Sequence, residues 1–298
     1  MMYRISHITR YHYGDTASLS HNELFLTPRD TVHQRCLTAG TTLTPVPSTV
    51  TRRKDYFGNT VISTTVQVPH SSLVISAVSQ VDLTPPPLPM PERTPPWEQV
   101  KETLWQHSSP EDLNAFQFIF PSPMIPSDQR FAAMAREAFQ PGVPILKGAL
   151  ALTRTIFTGF AYDPQATTAA TPVETAFDLK RGVCQDFAHI GIACLRSLGL
   201  AARYVSGYLH TLPPPGKPRL IGADASHAWL SIYITGTGWI DLDPTNNVLP
   251  SDQHLTLAWG RDYSDVTPVR GTVLGGGQHQ LSVAVDVSRT EDDKQTRT

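Results

Sequence analysis

Cysteine is scarce in this chain of 298 residues: Cys36, Cys184 and Cys194 make an odd set with no CxxC pair. That excludes a disulfide framework and a Cys-rich zinc site, and it leaves a reduced compartment with one useful thiol. An excess of charge of either sign is missing too. With 24 Lys and Arg against 26 Asp and Glu, the net charge is −2, which offers no surface to nucleic acid or to an anionic membrane. No run approaches the ~20 apolar residues of a membrane span. The N-terminal stretch carries Arg4, His7 and Arg10 and has no hydrophobic signal-peptide centre. The expectation is a soluble, cytoplasmic protein. Hydrophobic residues make up 40%, enough for a real core, and the length accommodates two modules.

Proline, by contrast, is plentiful and concentrated. Residues 84–91 read Thr84-Pro85-Pro86-Pro87-Leu88-Pro89-Met90-Pro91, followed by Pro95-Pro96. Proline removes backbone donors and fixes φ, so the stretch is an extended spacer between modules or a ligand for a polyproline-binding partner. Ahead of it, residues 3–8, 18–26, 60–68 and 73–81 show alternating patterns, with Asp55-Tyr56-Phe57-Gly58-Asn59 as a turn signal. They predict an antiparallel β-rich domain over residues 1–84. A connector and helix take residues 85–127, a core spans 128–260, and 261–298 hold one return strand (281–287) and a frayed tail. Apolar periodicity predicts helices over 97–107, 128–139 and 144–157.

The chemistry is concentrated between Gly182 and Thr245. Phe187, Ile190, Gly191, Cys194, Leu195 and Leu198 form one helical stripe, and Gly199 supplies a stop. Cys184 therefore lies in the first turn. An ordinary thiol, with pKa ~8.5, is mostly protonated at neutral pH. A helix start offers free N–H groups and partial positive charge, which favour the thiolate and can stabilise an oxyanion beside it. Gly182 leaves room for a substrate backbone. Cys194, mid-stripe, is a small inert hydrophobe, and Cys36 has no evident partner.

Residues 226–234 and 239–243 alternate as two strands around Thr235-Gly236-Thr237-Gly238, a hairpin. Their aliphatic faces coincide only if paired numbers sum to an even value, and a three-residue loop pairs Ile234 with Gly238. His227 then lies diagonal to Asp243 on one face, about 7–8 Å away at Cα and within reach of a hydrogen bond. Asp241 shares that face and rivals Asp243. His189 and Asp186 could join Cys184 as metal ligands, but a fourth ligand at sensible spacing is missing, so neither metal nor cofactor is expected.

The pieces Arg181-Gly182-Val183-Cys184-Gln185-Asp186-Phe187-Ala188, Ser226-His227-Ala228-Trp229 and Trp239-Ile240-Asp241-Leu242-Asp243-Pro244-Thr245 resemble the transglutaminase-like superfamily of papain-type thiol enzymes. The layout is similar to its bacterial subgroup with a β-rich N-terminal region. The resemblance implies an α+β fold: a Cys-bearing helix packed on an antiparallel sheet that bears His and Asp, with an N-terminal antiparallel β domain. It assigns the acid to Asp243, the residue before the Pro-Thr pair, so the triad is Cys184, His227 and Asp243. Tyr162, in Gly159-Phe160-Ala161-Tyr162, resembles an aromatic position that helps bind the oxyanion. Gln185 and Trp229 complete the expected oxyanion and substrate pocket.

Two departures bear on the outcome. Animal transglutaminases carry Trp where this chain has Gln185, and no acidic cluster makes a calcium site, which turns the expectation from cross-linking toward hydrolysis. The implied reaction is acyl transfer or hydrolysis on a peptide, isopeptide or glutamine amide through a thioester. A catalytically inactive binding or scaffold module is the other reading. Residues 210–225 form either a lid over the cleft or a plain connector.

Overall fold

A computed structural model describes residues 1–87, 89–107, 109–211 and 226–290. The expected lid at 210–225 falls almost wholly outside them. Strands come first: β1 (Met2–Leu24), β2 (Gln34–Thr44), β3 (Thr49–Lys54), β4 (Thr60–Val66) and β5 (His70–Leu83). Helices α1 (Trp97–Gln106), α2 (Pro110–Phe116), α3 (Gln129–Ala138) and α4 (Ile145–Gly159) follow. Next are β6 (Ala161–Tyr162), α5 (Val173–Leu179), β7 (Arg181–Gly182) and α6 (Cys184–Ser197). The strands β8 (Ala202–Leu209), β9 (Ser226–Ile234), β10 (Gly238–Leu242), β11 (His254–Gly260), β12 (Val269–Gly275) and β13 (His279–Arg289) end the order.

β1 organises the first sheet, whose order is β2-β5-β1-β4-β3, with β12 and β13 also on β1. Alternation buries Tyr3, Ile5, His7 and Thr9 on one face of β1. Its first half runs antiparallel to β5 and β13, and its second half runs antiparallel to β4 and β12. The late strands thus belong physically to the N-terminal sheet.

The second sheet is antiparallel, in the order β10-β9-β8-β11. One face, with Leu230, Ile232, Ile240 and Leu242, packs toward α6. The approach is close: a Cβ on Gly191 would stand 2.5 Å from Leu230 Cδ2. The other face carries His227, Trp229, Ser231, Arg203, Asp241 and His254, and the N-terminal module lies along its β11 side, with Arg29 over Trp259. Gln34 grips the Thr256 backbone from both sides, donating to its carbonyl at 2.7 Å and accepting its N–H at 2.8 Å. Asn59 does the same for Trp259, at 2.8 and 3.1 Å. Tyr208 Oη and His7 Nδ1 share a hydrogen bond of 2.8 Å. The core is continuous across this junction, since Tyr3, Val81, Leu83 and Val287 join Ile190, Leu195 and Leu230 in one apolar cluster. No helix among the described residues is long and apolar enough to cross a membrane.

Several elements depart from the pattern reading. The runs at 3–8 and 18–26 belong to one strand, because β1 continues through Gly14 while changing partners. β2 and β3 were not visible in the sequence: β3 is exposed throughout, so no apolar face marks it. Only one strand is expected after Asp243, yet three are present. β11 is buried on both faces, so His254 and Thr256 alternate with Leu255 and Leu257 without a solvent face to reveal them. Leu230 is 2% exposed between β9 and α6. Leu230→Ala should lower unfolding free energy by about 2–5 kcal/mol, read as a lower urea midpoint with unchanged slope.

Candidate active site

Cys184 is the first residue of α6 and is half-buried. The helix starts here because Asp186 reaches back, accepting the Val183 N–H at 2.8 Å and the Thr167 hydroxyl at 2.7 Å. Phe187 N–H makes the first bond within the helix, to the Val183 carbonyl at 3.1 Å. The N–H groups before it lie at the thiol's end of the helix, with no intrahelical acceptor. A Cβ at Gly182 would collide with the Asp186 carboxylate, so the helix cap needs a glycine there.

His227 lies one residue into β9, its side chain 9% exposed. Nε2 is 2.8 Å from Asp243 Oδ2, which leaves Nδ1 for the thiol. Burial disfavours charge on the ring, but the hydrogen bond to Asp243 and the neighbouring Cys184 outweigh it and raise the pKa to about 10. The β9–β10 ladder pairs Gly238 with Ile234 and Leu242 with Leu230, the register that brings residues 227 and 243 together.

Asp243 follows β10 directly and is wholly buried. Its backbone bridges to Val248, which fixes the turn. Oδ1 accepts the N–H groups of Thr245 at 2.9 Å and Asn246 at 3.2 Å. Oδ2 receives His227, His254 Nε2 at 3.0 Å and Asn246 Nδ2 at 2.6 Å. Burial opposes ionisation, yet these bonds, led by the two histidines, hold the carboxyl well below the ordinary carboxylate range. His254 and Asn246 escaped the sequence reading. Asn246 had a weak signal in its place after Asp-Pro-Thr, whereas His254 had none without knowing that β11 lies beside β8. The ligand atoms of His227, Asp243 and His254 lie within 4.8 Å of one another. They could hold a metal ion only by giving up the hydrogen bonds that now join them.

The other expected residues are distributed unevenly. Asp241 accepts Trp229 Nε1 at 2.9 Å and the Ser231 hydroxyl, so it supports the sheet behind the ring. Trp229 is fully buried, with its centroid 6.0 Å from that of His227. It backs the imidazole and presents no surface to a substrate, which corrects the pocket expectation. Gly207, paired with His227 across β8 and β9, is needed there because a Cβ would meet the Trp229 ring. The Gln185 amide is engaged with the Ala169 carbonyl at 3.0 Å. Tyr162 is 59% exposed, and its phenol pKa is raised by burial and by the neighbouring Cys184. His189 accepts the Tyr263 N–H at 3.2 Å, and Asp186 is occupied as a cap, so the two form no ligand set with Cys184. Cys194 is buried, which pushes its thiol pKa up.

A thiol at a helix start, facing a histidine and a carboxylate on an antiparallel sheet, defines an α+β protein with a transglutaminase-like core. Residues 132–244 match the transglutaminase-like superfamily, and residues 3–82 match the bacterial transglutaminase-like N-terminal region. The chain belongs to that superfamily. It is 38% identical over 303 residues to the uncharacterized protein Rv2569c of Mycobacterium tuberculosis (strain ATCC 25618 / H37Rv), covering 98% of this chain and 94% of that one. A shorter match, 36% identical over 94 residues, covers 30% of this chain and 14% of a protein-glutamine gamma-glutamyltransferase of Pseudomonas aeruginosa. A solved structure from Cytophaga hutchinsonii shares the fold at TM-score 0.75 and 23% identity, over 97% of this chain and 90% of that one.

His227 carries a testable pH signature. Its folded pKa is raised above the unfolded value of ~6.5, so its contribution to stability is full below that value and is lost as pH rises through about 10. In Asp243→Asn the leading charge-stabilising bond is gone and burial prevails, so the ring should titrate near or below ~6.5. Histidine 15N NMR would read this directly. Titration still near 10 in the variant would contradict the assignment.

Proposed function

We propose that the protein transfers acyl groups from amides through a Cys184 thioester, with His227 as the proton carrier and Asp243 as its orienting carboxylate. The observation that carries this reading is His227 itself, held by Asp243 at one nitrogen and near enough to Cys184 for the thiol to favour the ring's charged form. Such a ring keeps its proton at neutral pH and stabilises the thiolate beside it. The sulfur attacks the carboxamide carbon, and the carbonyl electrons move onto oxygen. Backbone N–H groups at the start of α6 and the Tyr162 phenol are the donors available to that oxyanion. As the tetrahedral adduct collapses, the C–N bond breaks and His227 gives its proton to the leaving amine. The ring, now neutral, takes a proton from water or a second amine, which attacks the thioester and frees Cys184.

The substrate class is a peptide or protein amide. A glutamine side chain is favoured as donor by the Pseudomonas aeruginosa relative, which is named for transfer from protein glutamine. The reaction belongs in a reducing compartment, where Cys184 stays a thiol.

Incubation with peptide and glutamine-amide libraries, with release of amine followed, tests the reading. Cys184→Ala should abolish turnover, and His227→Ala should lower it by at least about 10³-fold. Iodoacetamide should label Cys184 rapidly near neutral pH in the wild type and slowly in His227→Ala. Equal labelling of the two would support a binding module that keeps the fold without the chemistry.

A further inference from the structure

On the face of the second sheet away from α6, the N-terminal module leaves a cavity of about 1050 Å³. Cys184, His227 and Asp243 do not line it. Its walls come from residues 29–34, the Tyr56-Phe57 turn, the proline connector and strands β8, β10 and β11. Phe57, Phe118, Leu249 and Pro250 give it an apolar side.

Arg203 also lines it and is only 7% exposed. Its Cζ lies 3.7 Å from the Trp259 ring centroid and 4.2 Å from that of Trp239. Burial pulls its pKa down to about 9, so it is still charged at neutral pH. Nε donates to Ser231 Oγ at 3.3 Å, while the Nη donors have no hydrogen-bond acceptor among the described residues. Arg203 and Asp241 both pair with Ser231 in neighbouring ladders, but the Asp241 carboxylate is engaged by Trp229 and Ser231. Arg29 also stacks on Trp259, at 3.5 Å, and donates from Nη1 to Asn59 Oδ1 at 2.7 Å.

The Arg203 Nη atoms are not enclosed; they reach the cavity, where water or a ligand can meet them. Aromatic rings cover the faces of the guanidinium, so recognition is left to its edge. That edge is a planar fork, matched in geometry and charge by a carboxylate. The apolar lining beside it, from Phe57, Phe118, Leu249 and Pro250, suits a carboxylate that carries an apolar body.

We propose that this cavity is a second ligand site, binding a carboxylate with an aromatic or aliphatic body that replaces water on Arg203. Because His254 both lines the cavity and holds Asp243 at 3.0 Å, the ligand sits one side chain from the acylation site. The inference does not need the acyl-transfer reading, since binding is measured without turnover.

Calorimetric titration of the full chain with 4-phenylbutanoate and with 4-phenylbutanol, its neutral analogue, tests it. The acid should bind saturably and at least about 10-fold more tightly than the alcohol. Arg203→Lys, which keeps the charge and removes the fork, should cut affinity for the acid by about 10-fold and leave the alcohol unchanged. Acid binding should persist after Cys184 has been alkylated. A short peptide ending in phenylalanine separates the two sources of the carboxylate: binding as tight as the free acid identifies a chain terminus, and weaker binding identifies a small molecule. Equal affinity for acid and alcohol, absence of saturation, or loss of acid binding on alkylation would overturn the proposal. If Arg203→Lys does not fold, the acid–alcohol difference in the wild type decides alone.

Discussion

A carboxylate that water cannot reach holds the site together. Asp243 is fully buried, and a lone buried charge would neutralise itself. It stays ionised because imidazoles from β9 and β11, an amide and two backbone N–H groups converge on it. The consequence reaches further than orientation. A carboxylate that keeps its charge favours the charged form of His227 against the ring's own burial, and the roles proposed for His227 and Cys184 depend on that balance.

β8 lies between the strands that supply those two histidines, and it yields at one point. Gly207 has no side chain, so Trp229 lies over the strand and meets His254 with centroids 5.2 Å apart. The N-terminal module docks beside them, and its Gln34 and Asn59 treat β11 as if they were another strand. What the composition of residues 1–84 presents as a separate β-rich unit is, in contact terms, joined to the edge of the second sheet.

The parts legible in the sequence were those with local periodicity. The α6 stripe located Cys184 at a helix start, and the parity argument gave the observed pairing of Ile234 with Gly238. Hydrogen bonding then separated Asp243 from its rival Asp241, a choice that alternation could not make because both share a face. His254 was illegible for a physical reason. It lies on a strand buried on both sides, and it meets Asp243 only through the order of the sheet, which no local pattern encodes. Trp229 misled because a tryptophan two residues from a reacting histidine could equally line a cleft or stiffen its back wall, and only burial decides.

β13 is made more than 250 residues after the first half of β1, yet the two are neighbours in register from Tyr3 with Arg289 to Tyr13 with His279. As the polypeptide emerges from the ribosome, that flank of β1 stays open while the whole thiol core is synthesised. An open strand flank invites pairing with other chains until its partner strand is made.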